Sequence, residues 1–300
     1  MKDDYLIRAM TTNKEIRVLV ARSTQVVKEA QQAHQTTPVA TAALGRTLTA
    51  GALMGSMLKS GKEISLTIKG DGPLRKVVAH ANQYGAVRGY VANSQIEFLE
   101  NELGKLDVAK AIGQGSLTIK KDLGLKDPYQ GSVPLVSGEI GDDLTYYFTK
   151  SEQTPSAVGL GVLVNPDCSV KAAGGFIIQL MPEAAEETIG QLEENLAEVE
   201  SVSRLIEQGL SPEELLDKLL TGFEFKILTE REIEFKCVCG QERMKRLVSS
   251  LSEDDLREII KEDEQVEVKC HFCNQNYQFS KEEIEDILAS NQKEENWNLS

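Results

Sequence analysis

Cys237-Val238-Cys239-Gly240 and Cys270-His271-Phe272-Cys273 hold four of the five cysteines in this 300-residue chain, with thirty residues between the two halves. Paired thiols at short spacing, doubled across one loop, are the sequence form of a tetrahedral thiolate site for zinc. The expectation is one Zn2+ per chain, in the reduced form, on Cys237, Cys239, Cys270 and Cys273. The first half is the more telling. Most structural zinc knuckles space their cysteines by two residues, whereas Cys-x-Cys sets two sulfurs within reach of a disulfide if metal leaves. So small a ring is strained, and strained disulfides are oxidising, which suits switching better than stapling.

Other readings of the four thiols are a passive zinc staple and a thioredoxin-type oxidoreductase. The oxidoreductase needs Cys-x-x-Cys between a strand and the start of a helix, whose N-terminus lowers a thiol pKa. Here Cys273 is followed by Asn274-Gln275-Asn276 and another short strand. His271 is read as lying beside the site or facing solvent, not as a ligand.

Working outward, residues 223–291 read as the zinc-binding redox-switch domain, and 292–300 as a flexible polar tail. The domain opens on a strand at 223–228. Helices at 241–250 and 253–262 fill the spacer, strands at 266–269 and 277–279 flank the second cysteine pair, and Ser280 caps a last helix. Residues 182–222 read as a helical linker. Ile189, Leu192, Leu196, Val199, Val202 and Ile206 recur at three- and four-residue steps, giving one helix with an apolar stripe and a glutamate-rich back. Ser211-Pro212-Glu213-Glu214 opens a second helix as a capping box, with Leu215, Leu216, Leu219 and Leu220 as its face. The stripe reads as core-facing, and the same stripe could be covered in one state and exposed in another.

Residues 1–181 read as a strand-rich α+β core domain. Strands are expected at 5–10, 15–21, 64–70, 74–81, 86–92, 116–122, 133–140, 158–164 and 169–181, with helices from Ser23, from Pro38 to about Leu58, and at 142–152. The second of these helices is apolar or small almost all round and should be buried against a sheet. The fold class is therefore α+β: a strand-rich body with a buried helix, a helical linker and a small C-terminal zinc-binding domain.

The charge is divided. Residues 181–300 carry 30 acidic and 13 basic side chains (net −17), against 17 acidic and 20 basic (net +3) in residues 1–180. Phosphate contacts need concentrated Lys and Arg, so the acidic part is ill suited to nucleic acid or an anionic membrane. MKDDYLIRAM lacks the basic start and apolar run of a signal peptide, and Leu48–Leu58 is too short to span a bilayer. Thiols without an export signal point to a cytoplasmic location. No hydrolase motif accompanies the three histidines, His34 and His80 stand in no catalytic motif, and Cys168 reads as small core filler. Gly113-Gln114-Gly115 and Gly159-Leu160-Gly161 run into strands, so no nucleotide site is expected. The chain reads as no enzyme.

The cysteine pattern, together with ALGRTLTAGALM (43–54), GDGPL (70–74), VRGYV (87–91), YQGSVPL (129–135) and YYFTKSEQTPS (146–156), resembles the 33-kilodalton redox-regulated heat-shock chaperone family of bacteria across nearly the whole chain. The resemblance implies an ATP-independent holdase that is inactive when reduced and zinc-bound. Oxidation would pair Cys237 with Cys239 and Cys270 with Cys273, release zinc, and unfold the switch domain and linker. Apolar surface would then bind unfolding client proteins, with a homodimer as the active form. The rival from another class is a zinc-ribbon binding module for a partner protein or nucleic acid, whose interaction oxidation would destroy.

Overall fold

The computed structural model describes residues 4–59, 62–102, 104–124, 127–262 and 265–298. It divides into two compact units, Met1–Lys236 and Cys237–Ser300.

In the larger unit the elements run β1 (Tyr5–Thr11), β2 (Ile16–Arg22), α1 (Thr24–His34), α2 (Pro38–Gly55), β3 (Glu63–Gly70), β4 (Lys76–Asn82), β5 (Ala86–Val91), α3 (Val108–Ile112), β6 (Gly115–Asp122), β7 (Tyr129–Pro134), α4 (Gly141–Ser151), β8 (Ser156–Val164) and β9 (Val170–Leu180). Then follow α5 (Glu186–Glu198), α6 (Val202–Glu207), α7 (Pro212–Leu219), β10 (Phe225–Glu232) and β11 (Glu234–Phe235). One sheet has the order β10-β1-β2-β9-β8 and the other β11-β5-β4-β3-β6-β7; every pairing is antiparallel except β11 with β5.

The buried helix lies between these sheets. α2 starts on Pro38, whose missing N–H costs nothing in a first turn, and all but two of its residues are buried. Its Ala, Gly and Thr side chains keep it thin enough to fit. The hydroxyls of Thr47 and Thr49 are satisfied by the carbonyls of Ala43 and Gly45. Leu44, Leu48 and Leu53 share one core with Leu6, Leu19 and Ile177 of the first sheet and Leu66, Ala79 and Val87 of the second.

The opposite face of the first sheet carries the linker helices. Ile7, Val18, Val20, Phe176 and Ile178 form a separate core with Leu192, Val202, Leu205, Ile206, Leu215, Leu216 and Leu219. Period-two alternation makes this possible: Leu6 points to α2 while Tyr5 and Ile7 point to the linker.

Several expectations need correcting. The linker stripe is not one helix: α5 ends at Glu198, Val199 is extended, and α6 starts at Val202. The cause is a seat in the sheet. Gly161 and Gly174 are paired across β8 and β9, and a Cβ added to Gly161 would lie 2.7 Å from the Ser203 amide nitrogen. One on Gly174 would lie 2.2 Å from Ile206 Cδ1. The two glycines let α6 settle directly onto the strands, which a continuation of α5 through β-branched Val199 and Val202 could not match.

The strand expected at 133–140 ends at Pro134. Beyond it the buried Asp143 carboxylate accepts from the amides of Val136 at 2.7 Å, Ser137 at 3.1 Å and Ile140 at 3.2 Å, curling the chain into the start of α4. Ile140, at φ 51°, holds a conformation that β-branched residues rarely adopt. The strand expected at 223–228 to open the zinc domain falls at 225–232 as β10 and pairs with β1 in the body. The polar stretch from 292 continues the last helix to Asn298 instead of fraying at once, and Leu299 and Ser300 lie outside the described residues.

In the smaller unit come α8 (Gln241–Ser249), α9 (Glu253–Glu262), β12 (Gln265–Lys269), β13 (Asn276–Ser280) and α10 (Lys281–Asn298). The Ser252 hydroxyl accepts from the Asp255 amide and caps α9, and Ser280 accepts from the Glu283 amide, so the cap of the last helix falls where the sequence places it.

Candidate metal centre

The second cysteine pair sits in the turn of the β12–β13 hairpin. Cys270 N–H donates to the Gln275 carbonyl at 2.9 Å and Asn274 N–H to the Cys270 carbonyl at 2.8 Å. Asn274, at φ 62°, supplies the left-handed residue that closes the turn, a conformation asparagine tolerates well. The first pair follows β11, and Gly240 leads from Cys239 into α8.

These two turns bring all four sulfurs within 4.8 Å of one another. Cys237 and Cys270 Sγ are 3.7 Å apart, and Cys239 and Cys273 Sγ 3.2 Å. Four thiolates about 2.3 Å from a tetrahedral zinc stand roughly 3.8 Å apart, so the cluster has the size and the soft donors that such an ion requires. The group could hold a metal ion. Exposed His271 is not in it. Cys168 is half-buried in the β8–β9 turn at φ 68°, in the larger unit and not in the cluster. His34 ends α1 and His80 lies on β4, so neither is brought to the sulfurs.

The sulfurs are not equivalent. Burial pushes the Cys237 thiol up to about 11 and raises Cys273 further. Burial also opposes ionisation of Cys239, but hydrogen bonds from Tyr277 and from the other three thiols outweigh it and lower its pKa. The Tyr277 phenol donates to Cys239 Sγ at 3.1 Å and also has Gln275 Oε1 at 3.1 Å. Sequence reading missed Tyr277 as part of the site. Alternation along β13 puts it on the buried face with Phe279, four residues after Cys273, and that register was the available signal.

Around the cluster the core is thin: Met244, Val248, Leu256, Cys270, Tyr277, Phe279, Ile284 and Ile287 are its buried side chains among the described residues. A unit of this size with so few apolar anchors needs a further constraint to be stable.

Comparison with known proteins agrees with this architecture. Residues 4–280 match the family described as Hsp33 protein. The chain belongs to the Hsp33 family. It is 50% identical over 292 residues to the 33 kDa chaperonin of Geobacillus kaustophilus, covering 97% of this chain and 99% of that protein. It is 48% identical over 291 residues to the 33 kDa chaperonin of Staphylococcus aureus, covering 97% and 99%. The crystal structure of the 33 kDa chaperonin (Hsp33 homolog) of Thermotoga maritima superposes with a TM-score of 0.92 at 39% identity, covering 97% of this chain and 99% of that one. Hsp33 membership makes this a chaperone-family protein and confirms the α+β fold and the resemblance drawn from the cysteines.

Proposed function

We propose that this Hsp33-family chain is a redox-regulated, ATP-independent holdase whose switch is the four-cysteine cluster. The observation that carries the reading is the convergence of four thiols in a unit with too small a core of its own. Bound Zn2+ would supply cross-linking free energy on the order of 10–16 kcal/mol, as structural zinc does in small domains. Cys237, Cys239, Cys270 and Cys273 hold the ion as thiolates in the reduced, inactive chain.

Oxidation removes the donors. Following the family resemblance, Cys237 pairs with Cys239 and Cys270 with Cys273, and the disulfides prevent the site from reforming until reductant returns. Without the ion the unit's few apolar contacts cannot offset its chain entropy, and it unfolds. Coupling to the linker runs along the chain, because Cys237 directly follows Lys236, whose amide donates to Val87 in the body. Loss of order there frees β11, then β10, then the linker helices.

The client surface is the apolar interface those helices cover. Of the stripe, Leu192, Val202 and Ile206 are buried against the sheet, while Ile189, Leu196 and Val199 are half-buried; Leu205 and the leucines of α7 complete it. Once uncovered, these residues and the sheet face with Ile7, Val18 and Val20 offer contiguous apolar area to unfolding proteins. The glutamates on the backs of α5 and α7 keep the complexes soluble. The active form is proposed to be a homodimer in the cytoplasm, using neither nucleotide nor nucleic acid.

The test is light scattering of a heat-unfolding client enzyme without ATP. The reduced chain should leave aggregation unchanged, and the chain treated with peroxide at elevated temperature should suppress it. Equal activity in both states would remove the switch, and a metal-dependent interaction lost on oxidation would favour a zinc-ribbon module.

A further inference from the structure

We infer that Tyr277 is a positioning residue that shields Cys239 from oxidants, with Gln275 as the alternative acceptor for its proton, so that it sets the cluster's sensitivity. The inference rests on the proposed redox switch and names what regulates it.

The phenol has one hydrogen and two acceptors, Cys239 Sγ and Gln275 Oε1, each 3.1 Å away. A thiolate is the stronger acceptor because it is charged, so in the reduced cluster the hydrogen favours sulfur while Gln275, at the same distance, competes for a share of it. Donation draws electron density from the lone pair that would attack an oxidant. Tyr277 is buried and packs with Phe279 and Ile284, which holds the ring with its hydroxyl against these two acceptors. The hydroxyl gives Cys239 a side-chain O–H donor, whereas Cys237 and Cys273 are met by the backbone amides of Cys239 and Gln275.

The chemical step is a two-electron one. With hydrogen peroxide, the Cys239 thiolate attacks one oxygen, an S–O bond forms, the O–O bond breaks and hydroxide leaves. Sulfur is oxidised to sulfenic acid and peroxide is reduced to water after protonation. A neighbouring thiolate then attacks that sulfur, an S–S bond forms, and the oxygen departs as water. When Cys239 loses its negative charge, the phenol hydrogen turns to Gln275 Oε1. Gln275 also holds the Cys270 amide through its backbone carbonyl, so Tyr277 reports the state of one cysteine pair to the turn that carries the other.

The experiment compares wild-type, Tyr277→Phe and Gln275→Ala full-length chains, reduced and zinc-loaded, under limiting hydrogen peroxide. Sulfenic acid at each cysteine is trapped with dimedone and located by mass spectrometry, and metal release is followed with a chromogenic chelator. Tyr277→Phe keeps the ring and removes only the donor; it should raise the trapping rate at Cys239 about 3- to 10-fold while the other cysteines change less. Gln275 is exposed, so Gln275→Ala should fold normally; by removing the competing acceptor it should slow Cys239 trapping about 2-fold. Should Tyr277→Phe fail to fold, the Gln275→Ala rate decides. A folded Tyr277→Phe chain that reacts at the wild-type rate or slower overturns the inference, as does an unslowed Gln275→Ala chain where it decides. Neither result bears on the switch itself, which stands or falls on whether oxidised wild-type protein gains client binding.

Discussion

Tyr5 on β1 donates its phenol hydrogen to Glu213 on α7 at 2.6 Å, joining residues 208 positions apart. Each end of this bond belongs to a different layer, so it measures how firmly the linker is held to the sheet. A hydrogen bond to a charged acceptor is worth about 1.5–3 kcal/mol, and the partial exposure of Glu213 reduces this to roughly 1 kcal/mol. Tyr5→Phe should therefore speed amide exchange in α7 about 5-fold while β2 and β9 keep their wild-type protection. Exchange that rises equally throughout would show that the bond does not act locally.

A larger effect is expected where α6 rests on its glycine seat. The backbone of Ser203 cannot give way to a side chain at position 161, so Gly161→Val should lift α6 at a cost of about 2–3 kcal/mol. The reduced variant should bind a hydrophobic dye and suppress client aggregation without oxidant. A variant that stays dye-negative and inactive would place the client surface elsewhere.

Asp4 offers a test by pH. It is buried against the start of α1, where Oδ2 accepts from the Val26 amide and Oδ1 has no hydrogen-bond partner among the described residues. Burial raises its pKa from an ordinary 3.8 to about 6, against the lowering effect of that amide. The folded chain thus binds the proton more tightly than the unfolded one. The body should gain up to about 3 kcal/mol from this group as pH falls from above 6 to below 4, and lose it as pH rises again. In Asp4→Asn that contribution disappears, so subtracting the two urea-unfolding curves across pH 4–7 isolates it. Parallel curves would contradict the assignment.

Much of this arrangement was legible in the sequence where the signal is local. The cysteine spacing, the capping boxes at Ser211 and Ser280, Pro38 before a run of small residues and the alternation of the central strands all fix structure within a few positions. What was hidden depends on distant partners. That β10 pairs with β1 could not be read from 223–228, because an edge strand takes its place from a neighbour more than 200 residues away. The break between α5 and α6 is dictated by glycines in β8 and β9, and the curl after Pro134 by a carboxylate at 143. At the cluster the four thiols were visible from spacing, but Tyr277 emerged only with the hairpin register.

That carboxylate supplies a stability prediction. Asp143→Ala leaves the amides of Val136, Ser137 and Ile140 without their acceptor and releases a strained isoleucine from its clasp. Unfolding free energy of the body should fall by about 3 kcal/mol in denaturant titrations, with the metal content of the cluster unchanged. A loss below about 1 kcal/mol would mean that water or a shifted backbone replaces the carboxylate.

The central claim, that four sulfurs and an ion keep a marginal unit folded until oxidation, is tested most directly by native mass spectrometry of one sample before and after peroxide. The account predicts one zinc per freshly reduced chain, then a metal-free chain lighter by four hydrogens once both disulfides have formed. Freshly reduced chain carrying no metal, or oxidised chain still carrying zinc, would contradict it.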